Sequence, residues 1–280
     1  MTSAPLVSIV VPTRNSDWTL AACLRSARAQ THSPIELIVV DNNSTDGTHE
    51  IAAELADRVL SGGFERSAQR NLGARQAQGR YVLFVDSDML LAPDVVAACV
   101  AAAANAEAVV VPERSVGSGF WTACRALERA CYLGDETIES ARFFDRETVL
   151  RAGGYDEALS AGEDWDLHAR VVANGGRVSR AASTIDHDEG RLSLRRLAAK
   201  KFSYGRSLSR YAVKHPSLAR RQLVLVRPAF VRHRRTLARR PFLLAGIAVM
   251  KLTEFAAGAA GALTAAALPA GTGQAEREAE

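Results

Sequence analysis

An unbroken apolar run, Tyr81-Val82-Leu83-Phe84-Val85, ends in Asp86-Ser87-Asp88. Such a run reads as a strand buried on both faces, the kind found in parallel sheets covered by helices. The carboxyl ends of parallel strands share one edge, and ligands bind there. Two carboxylates one residue apart repel each other unless a cation lies beside them. A hard divalent ion, Mn²⁺ or Mg²⁺, suits that position and leaves coordination sites for phosphate oxygens. The motif therefore predicts metal-assisted handling of a diphosphate.

The rest of the first 190 residues fits an alternating β-α pattern. Residues 6–11 read as a strand stopped by Pro12, and Asp17 as the cap of a helix with Leu20, Cys23, Leu24 and Ala27 on one face. Residues 35–40 form a second strand, followed by the turn-rich Asp41-Asn42-Asn43-Ser44-Thr45-Asp46-Gly47-Thr48. Further helices are expected over 49–56, 65–78 and 94–104, with strands near 59–60 and 108–111. Gly117-Ser118-Gly119 reads as a loop before a helix over 120–133. A helix opens at Gly162-Glu163-Asp164-Trp165-Asp166 and runs to 173, and one strand follows Gly175-Gly176 as far as Asp186-His187. This alternation predicts an α/β fold with a mostly parallel sheet.

The acidic clusters at Asp41 and Asp86 fall at strand ends and so converge on one edge. Glu163 and Asp164 start a helix, where carboxylates also serve as caps. An aspartate beside an indole such as Trp165 is partly desolvated and suited to act as a base. His187, flanked by Asp186 and Asp188 after a strand, is a candidate third metal ligand or phosphate contact.

From Val7 to about Gly190 the chain resembles the family 2 glycosyltransferases of GT-A fold. The resemblance rests on Val10-Val11-Pro12-Thr13-Arg14-Asn15, on Val39-Val40-Asp41-Asn42-Asn43-Ser44-Thr45-Asp46-Gly47-Thr48, and on Arg70-Asn71-Leu72-Gly73-Ala74-Arg75 with Gly79-Arg80-Tyr81. Asp86-Ser87-Asp88 matches the DXD motif and Gly162-Glu163-Asp164-Trp165-Asp166 the ED motif. The resemblance implies that Pro12, Thr13 and Asn15 line the nucleotide pocket, that Asp41 meets the base edge, and that Arg70 and Asn71 lie near the nucleotide or its phosphates. Asp86 would reach the ribose or donor sugar, Asp88 would ligate the metal, and Asp164, with Glu163 beside it, would be the general base. It further implies a nucleotide-diphosphate sugar donor, UDP-linked by family preference, and inversion at the anomeric carbon. A phosphate acceptor needs no base, so Asp164 points to a hydroxyl on a lipid-linked or glycan acceptor. The QxxRW motif of processive synthases is absent, and Lys200-Lys201-Phe202-Ser203-Tyr204-Gly205-Arg206 stands in the comparable region. One sugar per acceptor is expected. A catalytically silent nucleotide-sugar-binding scaffold is the alternative. A nucleotidyltransferase would carry a glycine-rich first loop, and residues 10–15 contain no glycine.

Charge is distributed unevenly. Residues 191–240 hold sixteen Lys and Arg and no Asp or Glu, whereas residues 1–190 hold seventeen basic and twenty-seven acidic side chains. A basic segment can bind nucleic acid or an anionic membrane surface. The adjoining apolar segment favours the membrane. Residues 241–269 are apolar apart from Lys251 and Glu254, which lie three apart and can pair on a helix. They are expected to form a membrane-associating helix or hairpin, with Arg232, Arg234, Arg235, Arg239 and Arg240 on head groups. No nucleic-acid partner is expected. The domains are then a catalytic domain over 1–190, a basic helical segment over 191–240, the apolar segment, and a disordered tail over 270–280. The amino terminus has no signal-peptide pattern. Cys23, Cys99, Cys124 and Cys131 have no metal-binding spacing and are expected to be buried thiols. The predicted location is the cytoplasmic face of the membrane.

Overall fold

The computed structural model describes residues 4–267, so the tail predicted over 270–280 lies outside the described residues. The chain divides into two compact units. The first comprises residues up to 116, 132–157 and 163–189. The second comprises 117–131, 158–162 and 190 onward.

The first unit is built on a seven-stranded sheet. Its strands are β1 (Val7–Thr13), β2 (Ile35–Asp41), β3 (Arg58–Ser61), β4 (Tyr81–Phe84), β6 (Ala108–Val110), β8 (Ala141–Asp145) and β9 (Val178–Arg180), in the order β3-β2-β1-β4-β8-β6-β9. All are parallel except β8, which runs antiparallel to both β4 and β6. A second sheet of β5 (Met89–Leu91), β10 (Ile185–Arg191) and β7 (Glu113–Ser118) has the order β5-β10-β7.

Side chains alternate across the pleat, and the two faces build separate cores. Val7, Ile9 and Val11 of β1 pack with Leu37, Val39 and Leu83 against Leu20, Cys23 and Leu24 of α1 (Asp17–Arg28) and Val95, Val96 and Cys99 of α4 (Val95–Ala102). Ala52 of α2 (Thr48–Leu55) joins the same core. Val10 packs on the other face with Ile38, Val40 and Phe84 against Ala74 of α3 (Arg66–Gln76), Val149 of α6 (Arg146–Arg151), and Leu167 and Val171 of α7 (Glu163–Ala173). A Cβ on Gly73 would overlap the Val10 side chain, so glycine lets α3 lie close on β1. Glu36, polar inside β2, accepts hydrogen bonds from the Ser8 hydroxyl at 2.5 Å and the Gln78 N–H at 2.9 Å. All four cysteines are buried, as the sequence predicts.

Three local expectations are corrected. Pro12 does not stop β1, which continues to Thr13 paired with β2. The β1–β4 register ends at Val10, so the missing N–H of Pro12 breaks no ladder bond on that side. Gly117-Ser118 is not loop but the end of β7, where a Cβ on Gly117 would overlap the Gly190 carbonyl. The strand read after Gly176 is two strands, β9 and β10, in different sheets. The break at 181–184 carries no glycine or proline to mark it.

The second unit is helical. It holds most of α5 (Phe120–Tyr132), then α8 (Leu194–Lys214), α9 (Pro216–Gln222), α10 (Pro228–Arg232), α11 (Arg234–Ala238) and α12 (Pro241–Ala267). Residues 241–267 form one uninterrupted helix, which removes the hairpin alternative. Cys124, Leu127, Leu197, Leu237, Ile247 and Met250 form its apolar core. Lys251 and Glu254 pair at 2.6 Å, as their spacing predicts.

Candidate active site

The ends of β1, β2 and β4 converge on one edge of the large sheet. Asp41, nearly fully buried at the end of β2, accepts the Ser44 hydroxyl at 2.5 Å and the Ser44 N–H at 3.3 Å. Asn15, left-handed at φ 49°, accepts the Thr45 N–H at 2.9 Å, and its own N–H donates to Ser44 Oγ at 2.8 Å. Gln69 of α3 ties β1 to β2 by donating to the Thr13 and Val40 carbonyls at 2.8 and 2.7 Å. Pro12 and Thr13 thus sit on a braced edge. The Thr13 hydroxyl is buried there with no hydrogen-bond partner among the described residues. Ser87, between the two aspartates, donates to Ser16 Oγ at 3.1 Å, which joins this edge to the acidic loop.

Arg70 organises the rest. It projects from α3, is fully buried, and directs its fork at three carboxylates: Asp86 at 2.6 Å, Asp164 at 3.1 Å and Glu163 at 3.5 Å. The Tyr155 ring lies 5.0 Å from its guanidinium carbon. Arg142 of β8 stands on the other side of Asp86 at 3.6 Å and also binds Glu113 through Nε. Burial alone would raise the Asp86 pKa, but Arg70, Arg142 and Arg66 outweigh it and hold the carboxyl well below the usual range. Glu163 moves the other way. Its burial and the neighbouring Asp164 charge raise its pKa against the pull of Arg66 and Arg70.

Asp88 faces a different partner. Antiparallel pairing sets His187 of β10 opposite Met89 of β5, and the Asp188 N–H donates to the Asp88 carbonyl at 2.8 Å. This brings His187 Nε2 to 3.2 Å from Asp88 Oδ2. Asp88 Oδ1 is buried with no hydrogen-bond partner among the described residues. A buried, unpaired carboxylate oxygen beside an imidazole fits a divalent cation. Among the described residues no cluster of three or more His, Cys, Asp or Glu is arranged to hold a metal. Asp88 and His187 would therefore hold the ion as a pair, with the remaining positions open to substrate oxygens.

Asn71, expected near the nucleotide or its phosphates, directs its amide to the loop after α6. Its Oδ1 accepts the Tyr155 N–H at 2.7 Å, and its Nδ2 donates to the Tyr155 carbonyl at 2.9 Å and Glu157 at 2.8 Å. Asp164 pairs with the Arg70 guanidinium at 3.1 Å, and the Trp165 indole N–H is anchored on the Ile138 carbonyl at 2.8 Å. Gln69, Arg142 and Tyr155 are members that sequence reasoning misses. Arg142 and Tyr155 sit in no motif. Gln69 directly precedes Arg70-Asn71, which is its one available signal.

A parallel β3-β2-β1-β4 half, an antiparallel strand beside it, and carboxylates at the shared edge define the GT-A nucleotide-sugar class. The solved mannosyltransferase PcManGT from Pyrobaculum calidifontis, in complex with GDP-Man and Mn²⁺, shares this fold. Its TM-score is 0.60 at 24% identity, over 99% of this chain and 81% of that one. The Glycosyl transferase family 2 signature matches residues 8–155, over half of the sequence, and the chain belongs to that family. The succinoglycan biosynthesis protein ExoO of Rhizobium meliloti (strain 1021) is 31% identical over 219 residues, covering 68% of this chain and 63% of ExoO. The UDP-Glc:alpha-D-GlcNAc-diphosphoundecaprenol beta-1,3-glucosyltransferase WfgD of Escherichia coli is 35% identical over 88 residues, covering 30% of this chain and 35% of WfgD. The chain thus matches less than two thirds of the length of either curated relative.

Proposed function

We propose that this chain is a metal-dependent, inverting glycosyltransferase that moves one sugar from a nucleotide-diphosphate donor to an acceptor hydroxyl. The observation that carries the reading is the Arg70 bridge from Asp86 of the DXD motif to Asp164 of the ED motif. It sets a carboxylate for proton abstraction at a fixed place beside the diphosphate-handling loop.

Asp164 takes the proton of the acceptor hydroxyl as that oxygen attacks the anomeric carbon. The bond from that carbon to the β-phosphate oxygen breaks, and its electron pair leaves with the nucleoside diphosphate. In-line displacement inverts the anomeric centre. Glu163, its pKa raised by burial and by the Asp164 charge, shares the Arg70 guanidinium with Asp164. Asp86, held ionised by Arg70 and Arg142, accepts hydrogen bonds from the donor's ribose or sugar. Pro12, Thr13, Asn15 and Asp41 form the nucleoside wall. Asp88 and His187 would hold Mn²⁺ or Mg²⁺, which supplies charge neutralisation to the departing diphosphate.

UDP is the favoured nucleotide, supported by family preference and by the UDP-glucose in the name of WfgD. That relative's diphosphoundecaprenol substrate likewise supports a lipid-linked hydroxyl acceptor, and the arginines preceding α12 favour the cytoplasmic face of a membrane. The test is Asp164→Asn assayed with UDP-sugars and a lipid-linked acceptor. Lost transfer with unchanged donor binding is expected, and near-normal transfer would overturn the assignment of the base.

A further inference from the structure

Helix α12 is inside out for a water-soluble protein. Its charged residues face inward, with Lys251 at 8% and Glu254 at 5% exposure. Lys251 Nζ lies 2.7 Å from Glu128 and 2.6 Å from Glu254, while Arg125 also binds both glutamates and Lys201 reaches Glu254 at 3.7 Å. Its outward face is apolar. Phe242, Val249, Leu252 and Leu263 follow a helical repeat and are 83%, 45%, 59% and 72% exposed. The positions between them on that face, Ala245, Ala256 and Ala259, are exposed as well. Ion pairs turned into a bundle with hydrocarbon turned outward is the arrangement that a lipid environment selects.

The helix is long enough to cross a bilayer, at about 40 Å for its rise of 1.5 Å per residue. Its neighbour argues against crossing. α8 packs alongside it, so close that a Cβ on Gly205 would overlap the Gly258 carbonyl and one on Gly261 the Phe202 carbonyl. α8 exposes Arg195, Arg196, Lys200, Arg206 and Arg210. A crossing α12 would carry this basic row into hydrocarbon, where each charge is costly. An in-plane α12 leaves the row at the water–lipid boundary. Exposed Arg234, Arg235, Arg239 and Arg240 precede the helix and complement anionic head groups.

We infer that α12 lies in the plane of an anionic bilayer, with the face bearing Phe242, Val249, Leu252 and Leu263 sunk into the acyl layer. The inference rests on the membrane location proposed above and specifies how the chain is held there.

Depth measurement tests it. The native cysteines are all buried, so a nitroxide can be directed to Phe242→Cys, Leu252→Cys or Leu263→Cys in the full chain. Each labelled protein is bound to phosphatidylcholine vesicles containing about one third phosphatidylglycerol. Power saturation with oxygen and a water-soluble relaxant then reads the depth. Three labels at one shared shallow depth are expected. A gradient with Leu252 deepest would mean a crossing helix and overturn the inference. Labels that stay in water, or broaden against a second copy without vesicles, would overturn it equally. Leu252→Glu should lower vesicle binding by about tenfold or more while leaving the nucleotide-induced rise in Tm unchanged. A chain that binds vesicles this way but no nucleotide would refute the donor assignment alone.

Discussion

Arg70 donates to Asp164 at 3.1 Å across 94 positions of sequence, and the same guanidinium grips Asp86 at 2.6 Å. One side chain thus fixes the distance between the DXD loop and the carboxylate proposed as the base. A lysine keeps the charge but is a single point and cannot fork. Arg70→Lys should lower kcat by about 10²-fold, as misplacement of a reacting group does, with a smaller change in donor affinity. Arg70→Met leaves three carboxylates without their shared cation and should cost about 3–5 kcal/mol of stability. Steady-state kinetics and urea unfolding check the two variants.

Glu163 supplies a pH signature. Its pKa in the folded protein is raised above the ordinary 4.5 by burial and by Asp164. A carboxyl with a raised folded pKa favours the native state while protonated. That contribution is lost as pH climbs from 4.5 through the folded value. Glu163→Gln, which cannot ionise, should therefore gain Tm relative to the wild type as pH rises through this window. At about pH 4 the two proteins should melt alike. A Tm difference that stays constant from about pH 4 to pH 8 would show that Glu163 has no raised pKa.

The sheet is legible because its strands are apolar on both faces and end in turn residues or carboxylates. The edge residues Asp41, Asp86 and Asp88 follow from strand polarity alone. The Asp88–His187 approach is legible as a pair of ligand types but not as a contact, because it depends on the β5–β10 register across 99 positions. Arg70 is legible through the resemblance as a cation near the nucleotide or its phosphates, but a sequence does not show which carboxylates surround it. The Asn71 partners Tyr155 and Glu157 follow Gly153-Gly154, which marks a turn but not what packs on it. In the helical unit, the i, i+3 spacing predicts the Lys251–Glu254 pair, whereas Arg125, Glu128 and Lys201 join it only through tertiary packing.

Metal dependence should follow the Asp88–His187 pair. With Mn²⁺ present, UDP at about a hundredfold over its Kd should stabilise the wild type by about 2.7 kcal/mol. Asp88→Ala should abolish the metal-dependent part of that Tm rise, and His187→Ala should reduce it. GDP, dTDP and CDP in the same panel identify the nucleotide. A UDP shift that is identical with chelator and with Mn²⁺ would remove the metal from the mechanism.

Gly154, at φ 70°, is a tight left-handed backbone position near the site. A Cβ there would overlap Asn71 Oδ1, the atom that accepts the Tyr155 N–H. Gly154→Ala therefore adds left-handed strain and displaces the amide that seats Tyr155 beneath Arg70. A cost of about 1–3 kcal/mol is expected from the strained backbone. The loss should pass to catalysis, because Tyr155 packs against the guanidinium that holds Asp164. Gly153 is the control. It is also left-handed, at φ 82°, but a Cβ on it would meet nothing within 4 Å. Gly153→Ala should show the backbone cost with kcat nearly intact, whereas Gly154→Ala should lose both stability and kcat. Equal kcat in the two variants would separate Tyr155 from the Arg70 bridge.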